Sequence, residues 1–194
     1  MIIAMLAIVV AFSIATGGGL GVFFQPNFFI MGIVFLFTIG ISFIAHEMGH
    51  KYAAERFGSP SRFIMWPQGI LFMLLLAPLG FIFAAPGAVY IFKRMNTREN
   101  GIVSLAGPMV NMILYLMFAL ILIASSVFGF GLSSVVSAIC VIGMQINALL
   151  ATFNLLPIFI LDGAKVIKWD FKVWLGAFVI SLLMLFTYGT IASL

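Results

Sequence analysis

Very little in these 194 residues can ionise. Charged side chains make up 7% of the chain against 64% hydrophobic, and the mean hydropathy is +1.30. A soluble domain carries about 25% charged residues, so this shortage excludes a water-soluble globular fold and points to a protein embedded in a lipid bilayer. The single cysteine, Cys140, lies in an apolar run; it excludes an intrachain disulfide and a thiolate metal cluster, and packing is its expected role. No Lys or Arg precedes the first apolar stretch, which argues against a cleavable leader and for a retained first span. A net charge of +4 would suggest a nucleic-acid partner in a soluble protein. Here the basic residues are expected to set membrane topology, and no nucleic acid is expected. With five acidic residues and two histidines, any chemistry has to be assembled from few groups.

Both histidines fall in one pentapeptide, His46-Glu47-Met48-Gly49-His50, inside a membrane-length apolar stretch. On a helix, positions i and i+4 share a face, so both imidazoles can reach one metal ion. Glu47 then stands beside the open coordination position, where a general base belongs. Zinc hydrolases use this arrangement because Zn²⁺ lowers the pKa of bound water to about 7. A chance match would leave two helix histidines satisfied by polar neighbours. At membrane depth ionisable groups are expensive and mark functional sites, which favours the metal reading.

Five stretches have spanning length, at about 2–24, 28–57, 101–128, 132–157 and 171–193. The chain reads as one membrane-embedded domain over 1–194, with a motif-bearing core at 28–163 and peripheral spans at 1–24 and 171–193. The expected fold is an all-α polytopic membrane protein with five to six transmembrane segments. From Phe28, at 1.5 Å per residue, His46 lies roughly 27 Å along its helix, near the far face of a hydrocarbon core about 30 Å thick. Residues 63–92 are apolar but broken by Pro67, Pro78, Gly80, Pro86 and Gly87.

A catalytic zinc takes three protein ligands and keeps one position for water. With both histidines used, a carboxylate must be the third. Glu55 lies five residues beyond His50 and points off the histidine face. Glu99, between Arg98 and Asn100, and Asp170, near Lys168 and Lys172, read as solvated charges. Asp162 differs, because Pro157 breaks the helix before it and Gly163 follows, so it can turn inward from irregular backbone. His50 and Asp162 must then share a depth, which requires 63–92 to enter and leave by one face as a re-entrant hairpin. In that topology Lys51, Arg56, Arg62, Lys93, Arg94, Arg98, Lys165, Lys168 and Lys172 fall on one side. These are all nine basic residues, and the positive-inside rule puts them in the cytoplasm.

At this point the chain resembles the site-2 protease family of intramembrane zinc metalloproteases. Three elements match in order: His46 to His50, then Gly107-Pro108-Met109-Val110-Asn111, then Asn154 through Pro157 to Leu161-Asp162-Gly163. The resemblance implies His46, His50 and Asp162 as ligands of one Zn²⁺ and Glu47 as catalytic acid/base. It implies a transmembrane protein or peptide as substrate, cut at a membrane-spanning or membrane-proximal bond; with the basic connectors cytoplasmic, the active site is expected within the cell membrane near its cytoplasmic face. Asn154 matches the family asparagine that positions the substrate backbone, and Asn111 is a second candidate for the substrate or oxyanion. Many bacterial relatives carry PDZ domains, for which this chain has no room, and the family's Gly-Gly re-entrant element stands here as Trp66-Pro67-Gln68-Gly69. The Gly107-Pro108 pair reads as helix packing; Asn147, like Asn111, is a possible helper at the oxyanion, with holding neighbouring helices together as the alternative. Residues 87–92 read as β-prone, able to offer an edge strand to an unwound substrate.

Two rival readings stay open at this stage. One is a membrane zinc protease acting on prenylated or misfolded proteins, with Glu99 as third ligand. The other is an inactive metal-binding or transport homologue.

Overall fold

The computed structural model describes residues 1–82, 86–158 and 160–193. Residues 83–85 of the expected hairpin and position 159, in the run leading to Asp162, lie outside the described residues. The elements, in order, are helix α1 (Ile2–Thr16), helix α2 (Phe28–Arg56), strand β1 (Ser61–Met65), helix α3 (Pro67–Leu76), strand β2 (Gly87–Ile91), helix α4 (Thr97–Phe128), helix α5 (Ser134–Asn154), helix α6 (Asp162–Trp169) and helix α7 (Phe171–Ala192). The architecture is that of a helical polytopic membrane protein. Four helices, α2, α4, α5 and α7, are long and apolar enough to span. In lipid the backbone has no water to bond, so a helix that satisfies its own N–H and C=O groups is the economical way across.

The expected five to six spans resolve into these four and two shorter apolar helices, Ile2–Thr16 and Pro67–Leu79. The stretch 2–24 does not form one span. Helix α1 stops at Thr16, and the chain turns through Gly18 and Gly19, both at positive φ, into a short 3-10 turn over Leu20–Phe24. A helix of 15 residues covers only about 22 Å.

Helix α2 carries an internal irregularity, a π-helical stretch over Leu36–Gly40, where the Thr38 hydroxyl donates to the Val34 carbonyl at 2.8 Å. Such a stretch inserts extra backbone into a turn and rotates the rest of the helix. The turns beyond it then bring Ser42 and His46 to a buried face. Helix α4 begins with a reciprocal cap, Asn96 accepting from the Glu99 N–H at 2.8 Å and Glu99 from the Asn96 N–H at 3.1 Å. Asp170 caps α7 by accepting from the Lys172 and Val173 N–H groups.

Among the described residues, the segment between α2 and α4 contains the one departure from an all-helical fold. Strands β1 and β2 pair antiparallel, with Ser61 opposite Ile91 and Met65 opposite Gly87. The two ends of this segment are therefore neighbours. Apolar packing beneath it joins Ile8, Phe35, Ile39, Met73 and Ile146 from α1, α2, α3 and α5. A second cluster joins Met112, Ala151, Leu155 and Ala177 of α4, α5 and α7.

Candidate metal centre

His46 and Glu47 are buried in α2, and His50 is half-buried one turn further on. Helix α4 crosses α2 here at close range. A Cβ on Gly49 would stand 2.9 Å from the Ala106 carbonyl oxygen, so the missing side chain is what allows the approach. The crossing supplies an acceptor to the outer nitrogen of each imidazole. His50 Nδ1 donates to the Val103 carbonyl at 2.7 Å, and His46 Nδ1 to Asn111 Oδ1 at 2.6 Å. Outer partners of this kind fix ring orientation in metal sites.

Asp162 arrives from the other side. Helix α5 ends at Asn154, where the Trp174 indole donates to the Leu155 carbonyl at 2.8 Å, satisfying a group left over at the helix end. Pro157 prevents the helix from resuming. Gly163 lies directly against the Leu155 and Leu156 carbonyls, where any Cβ would collide. That contact seats the first turn of α6 with Asp162 pointing at the histidines. Oδ2 of Asp162 faces His50 and His46. Its second oxygen accepts from Lys165 Nζ at 3.4 Å.

Among the described residues, His46, His50 and Asp162 form the one cluster that could hold a metal. Nε2 of His50 lies 3.0 Å from Nε2 of His46 and 3.1 Å from Asp162 Oδ2, which is 3.6 Å from Nε2 of His46. Ligands about 2.0–2.1 Å from a tetrahedral zinc stand roughly 3.3 Å apart, so the donor set fits that ion. With both Nδ1 atoms donating outward, two lone pairs and a carboxylate converge on one point, an arrangement that repels itself unless a cation joins it. The space beside them is kept open by Gly107. A Cβ there would lie 2.7 Å from Nε2 of His46 and closer still to Nε2 of His50.

Glu47 takes no part in the cluster. Its Oε2 accepts from the Val89 N–H at 2.8 Å, tying it to β2. The other carboxylates are occupied elsewhere: Glu55 pairs with Lys51 at 3.7 Å, and Glu99 and Asp170 cap helices. Asn154, at the end of α5, donates Nδ2 to the Leu150 carbonyl one turn back at 2.9 Å. Asn111 touches the site from behind His46. Its amide nitrogen goes to Asn147 and to the Ser42 carbonyl, and its oxygen to the His46 ring.

The sequence profile of peptidase family M50 matches residues 34–142, more than half of the chain. The chain belongs to that family. Three relatives carry the name putative zinc metalloprotease. One from Methanocaldococcus jannaschii is 40% identical over 156 residues, covering 79% of each chain. One from Bacillus subtilis is 30% identical over 145 residues, 68% of this chain and 66% of its own. One from Mycolicibacterium smegmatis is 33% identical over 150 residues, 69% of this chain and 56% of its own. No solved structure matches significantly. Zinc is the metal these relatives name, and the donor set described above suits it.

The sequence left three contributors to this centre unassigned: Gly107, read as a packing residue, and the Val103 carbonyl and the Val89 N–H. For Gly107 a signal existed. Gly107 and Asn111 are four apart, as His46 and His50 are, so each pair presents one face to the other helix. The two backbone groups carry no sequence signal at all.

Proposed function

We propose that this chain is an intramembrane zinc endopeptidase that hydrolyses a peptide bond in or near a transmembrane segment of another protein. The observation that carries the reading is the convergence of His46, His50 and Asp162 beside a buried Glu47, in a chain with four spanning helices. His46, His50 and Asp162 would hold the zinc, which would supply a Lewis acid for the scissile carbonyl and lower the pKa of a bound water so that hydroxide is available at neutral pH. Glu47 accepts the proton from the attacking water and passes it to the departing amide nitrogen, so one C–N bond breaks as one C–O bond forms. The Val89 N–H holds the Glu47 carboxylate in place for both transfers.

A substrate helix hides its carbonyls in i to i−4 bonds and must unwind to be cut. Strand β2 offers the unwound chain a partner. The bonds from Trp66 N–H to Pro86 and from Phe92 N–H to Pro60 set the alternation of the ladder. By that alternation the backbone groups of Gly87, Val89 and Ile91 point away from β1. One of them, the Val89 N–H, already reaches Glu47. An extended substrate added along this edge would have its backbone satisfied beside the catalytic carboxylate. Asn154 is the candidate for a further hydrogen bond to the substrate, since Leu150 uses only one of its amide protons.

The purified chain is expected to hold about one zinc, lost in His46→Ala, His50→Ala and Asp162→Ala and kept in Glu99→Ala. Metal content by atomic absorption checks this. Zinc retained in Asp162→Ala but lost in Glu99→Ala would overturn the ligand set.

The basic connectors are assigned to the cytoplasmic side of the cell membrane, in keeping with the adjacency of Ser61 and Ile91. In a Cys140→Ser background, Pro60→Cys, Asn96→Cys and Lys168→Cys should be protected from impermeant thiol reagents in intact cells, and Leu20→Cys and Gly131→Cys should react. Labelling at 96 but not at 60 would show that the segment between them crosses the bilayer and would defeat this topology.

A further inference from the structure

We propose that Asn147, two side chains away from the metal cluster, is a positioning residue that dictates which nitrogen of His46 faces the metal. Its importance for metal binding rests on the zinc reading above, but the hydrogen-bond logic stands without any metal. The chain of bonds is best followed from its far end, where the partners have no choice. The Gly143 backbone carbonyl can only accept, so the Asn147 atom 2.8 Å from it is the amide nitrogen. The same nitrogen donates to the Ser42 hydroxyl at 2.8 Å. Oδ1 of Asn147 is therefore turned towards Asn111, whose Nδ2 donates to it at 2.9 Å.

A longer contact favours the same polarity without being enough to impose it. The Ser42 carbonyl lies 3.4 Å from that Asn111 nitrogen. With its nitrogen committed, Asn111 has only Oδ1 to offer His46, 2.6 Å away, and an amide oxygen can only accept. Nδ1 of His46 must then carry the proton, and Nε2 must present a lone pair to the cluster. The tautomer of a metal-binding histidine is set by the hydrogen bond its other nitrogen makes. Here that bond is set one residue further back.

Burial makes the relay binding. Asn111 and Asn147 are fully buried and Ser42 nearly so, so no solvent can supply an alternative partner. The three residues come from α2, α4 and α5, so the relay also fixes how three spanning helices meet. The two histidines differ in this respect. His50 bonds the Val103 backbone carbonyl directly and needs no intermediary. A change at position 147 should therefore shift the tautomer of His46 and leave the tautomer of His50 as it is.

The test uses the full-length chain in lipid nanodiscs with ¹⁵N-labelled histidine, metal-free, at a pH where both rings are neutral. With only two histidines the ring-nitrogen NMR spectrum holds four signals. His46 should carry its proton on Nδ1 in the native chain. It should do so also in Asn147→Asp, whose carboxyl, kept protonated by burial, can give its O–H to the Gly143 carbonyl and keep its other oxygen for Asn111 to donate to. In Asn147→Leu that acceptor is gone and Asn111 is held only by the long 3.4 Å contact to the Ser42 carbonyl, so His46 should populate both tautomers while His50 keeps its proton on Nδ1. Chelator competition should show zinc binding about 10–100-fold weaker in Asn147→Leu, the usual cost of losing an outer-shell partner, and within about threefold of native in Asn147→Asp. A native His46 protonated on Nε2 would overturn the proposal. So would loss of the Nδ1 proton in Asn147→Asp, an Asn147→Leu variant with native tautomer and zinc affinity, or equal disturbance of His50. Should Asn147→Leu fail to fold, the native and Asn147→Asp spectra still decide. The expected tautomers in a chain that binds no zinc would uphold the relay and reject the zinc reading.

Discussion

Glu47→Gln should lower peptide-bond cleavage by about 10²–10⁴-fold, the usual share of a positioned general acid or base, while the chain keeps its zinc. The amide has the shape of the carboxylate, and its oxygen can still accept from the Val89 N–H as Oε2 does at 2.8 Å. What it cannot do is take a proton from water. The three metal-facing atoms belong to other residues, so metal content should be untouched. A reconstituted cleavage assay on a single-span substrate, run beside metal analysis on the same preparation, measures both. Undiminished cleavage would remove Glu47 from the chemistry. Cleavage and zinc lost together would make it a ligand or a structural residue. A metal transporter, in contrast, should tolerate the substitution.

The other large effect is expected from a residue with no side chain. Gly107→Ala should weaken zinc binding by at least about 100-fold, more than loss of an outer-shell partner, and cleavage should fall with it. The nearest atoms to the new methyl are Nε2 and Cε1 of His50 and Nε2 of His46, so the collision falls on the ligand atoms themselves. Either the rings turn out of register or the methyl occupies the space beside them. The cost should be local, since alanine suits a helix better than glycine does. Equilibrium chelator competition and a thermal melt of the metal-free protein separate the two effects. Native zinc affinity in Gly107→Ala would show that the rings have slack this geometry denies them.

Much of this arrangement was readable beforehand, for reasons that can be named. The spacing of His46 and His50 puts them on one face by helix geometry alone. A chain with five acidic residues leaves few alternatives to Asp162, and Pro157 and Gly163 mark the irregular backbone that turns it inward. The structure does bring these three side chains together. The spanning helices were legible because a bilayer demands long apolar runs. The β pair was harder to read. Its strands are five residues each and separated by helix α3, so their pairing is non-local, and short apolar runs do not distinguish strand from helix. The expectation of a β-prone 87–92 anticipated one strand but not its partner at 61–65. The break in the first apolar stretch turns on Gly17 to Gly19, which follow the end of helix α1 at Thr16. Asn111 and Asn147 were visible as polar residues in lipid. Which way their amides point depends on the carbonyls of Gly143 and Ser42, and helix packing alone decides that.

The adjacency of Ser61 and Ile91 also bears on how this chain can change over time. A segment that leaves and returns at one point can lengthen or shorten without moving the helices on either side. Closing a longer loop costs only about 0.6 kcal/mol for each doubling of its length. Insertions and deletions between β1 and β2 are therefore nearly neutral for the spacing of α2 and α4, which carry the histidines and their outer partners. The same freedom is denied to the stretch from Asn154 to Asp162, where Gly163 rests on the Leu155 carbonyl and one residue more or less would draw the carboxylate away. One connector can thus diversify, and with it the surface offered to substrates, while the other is held to its length.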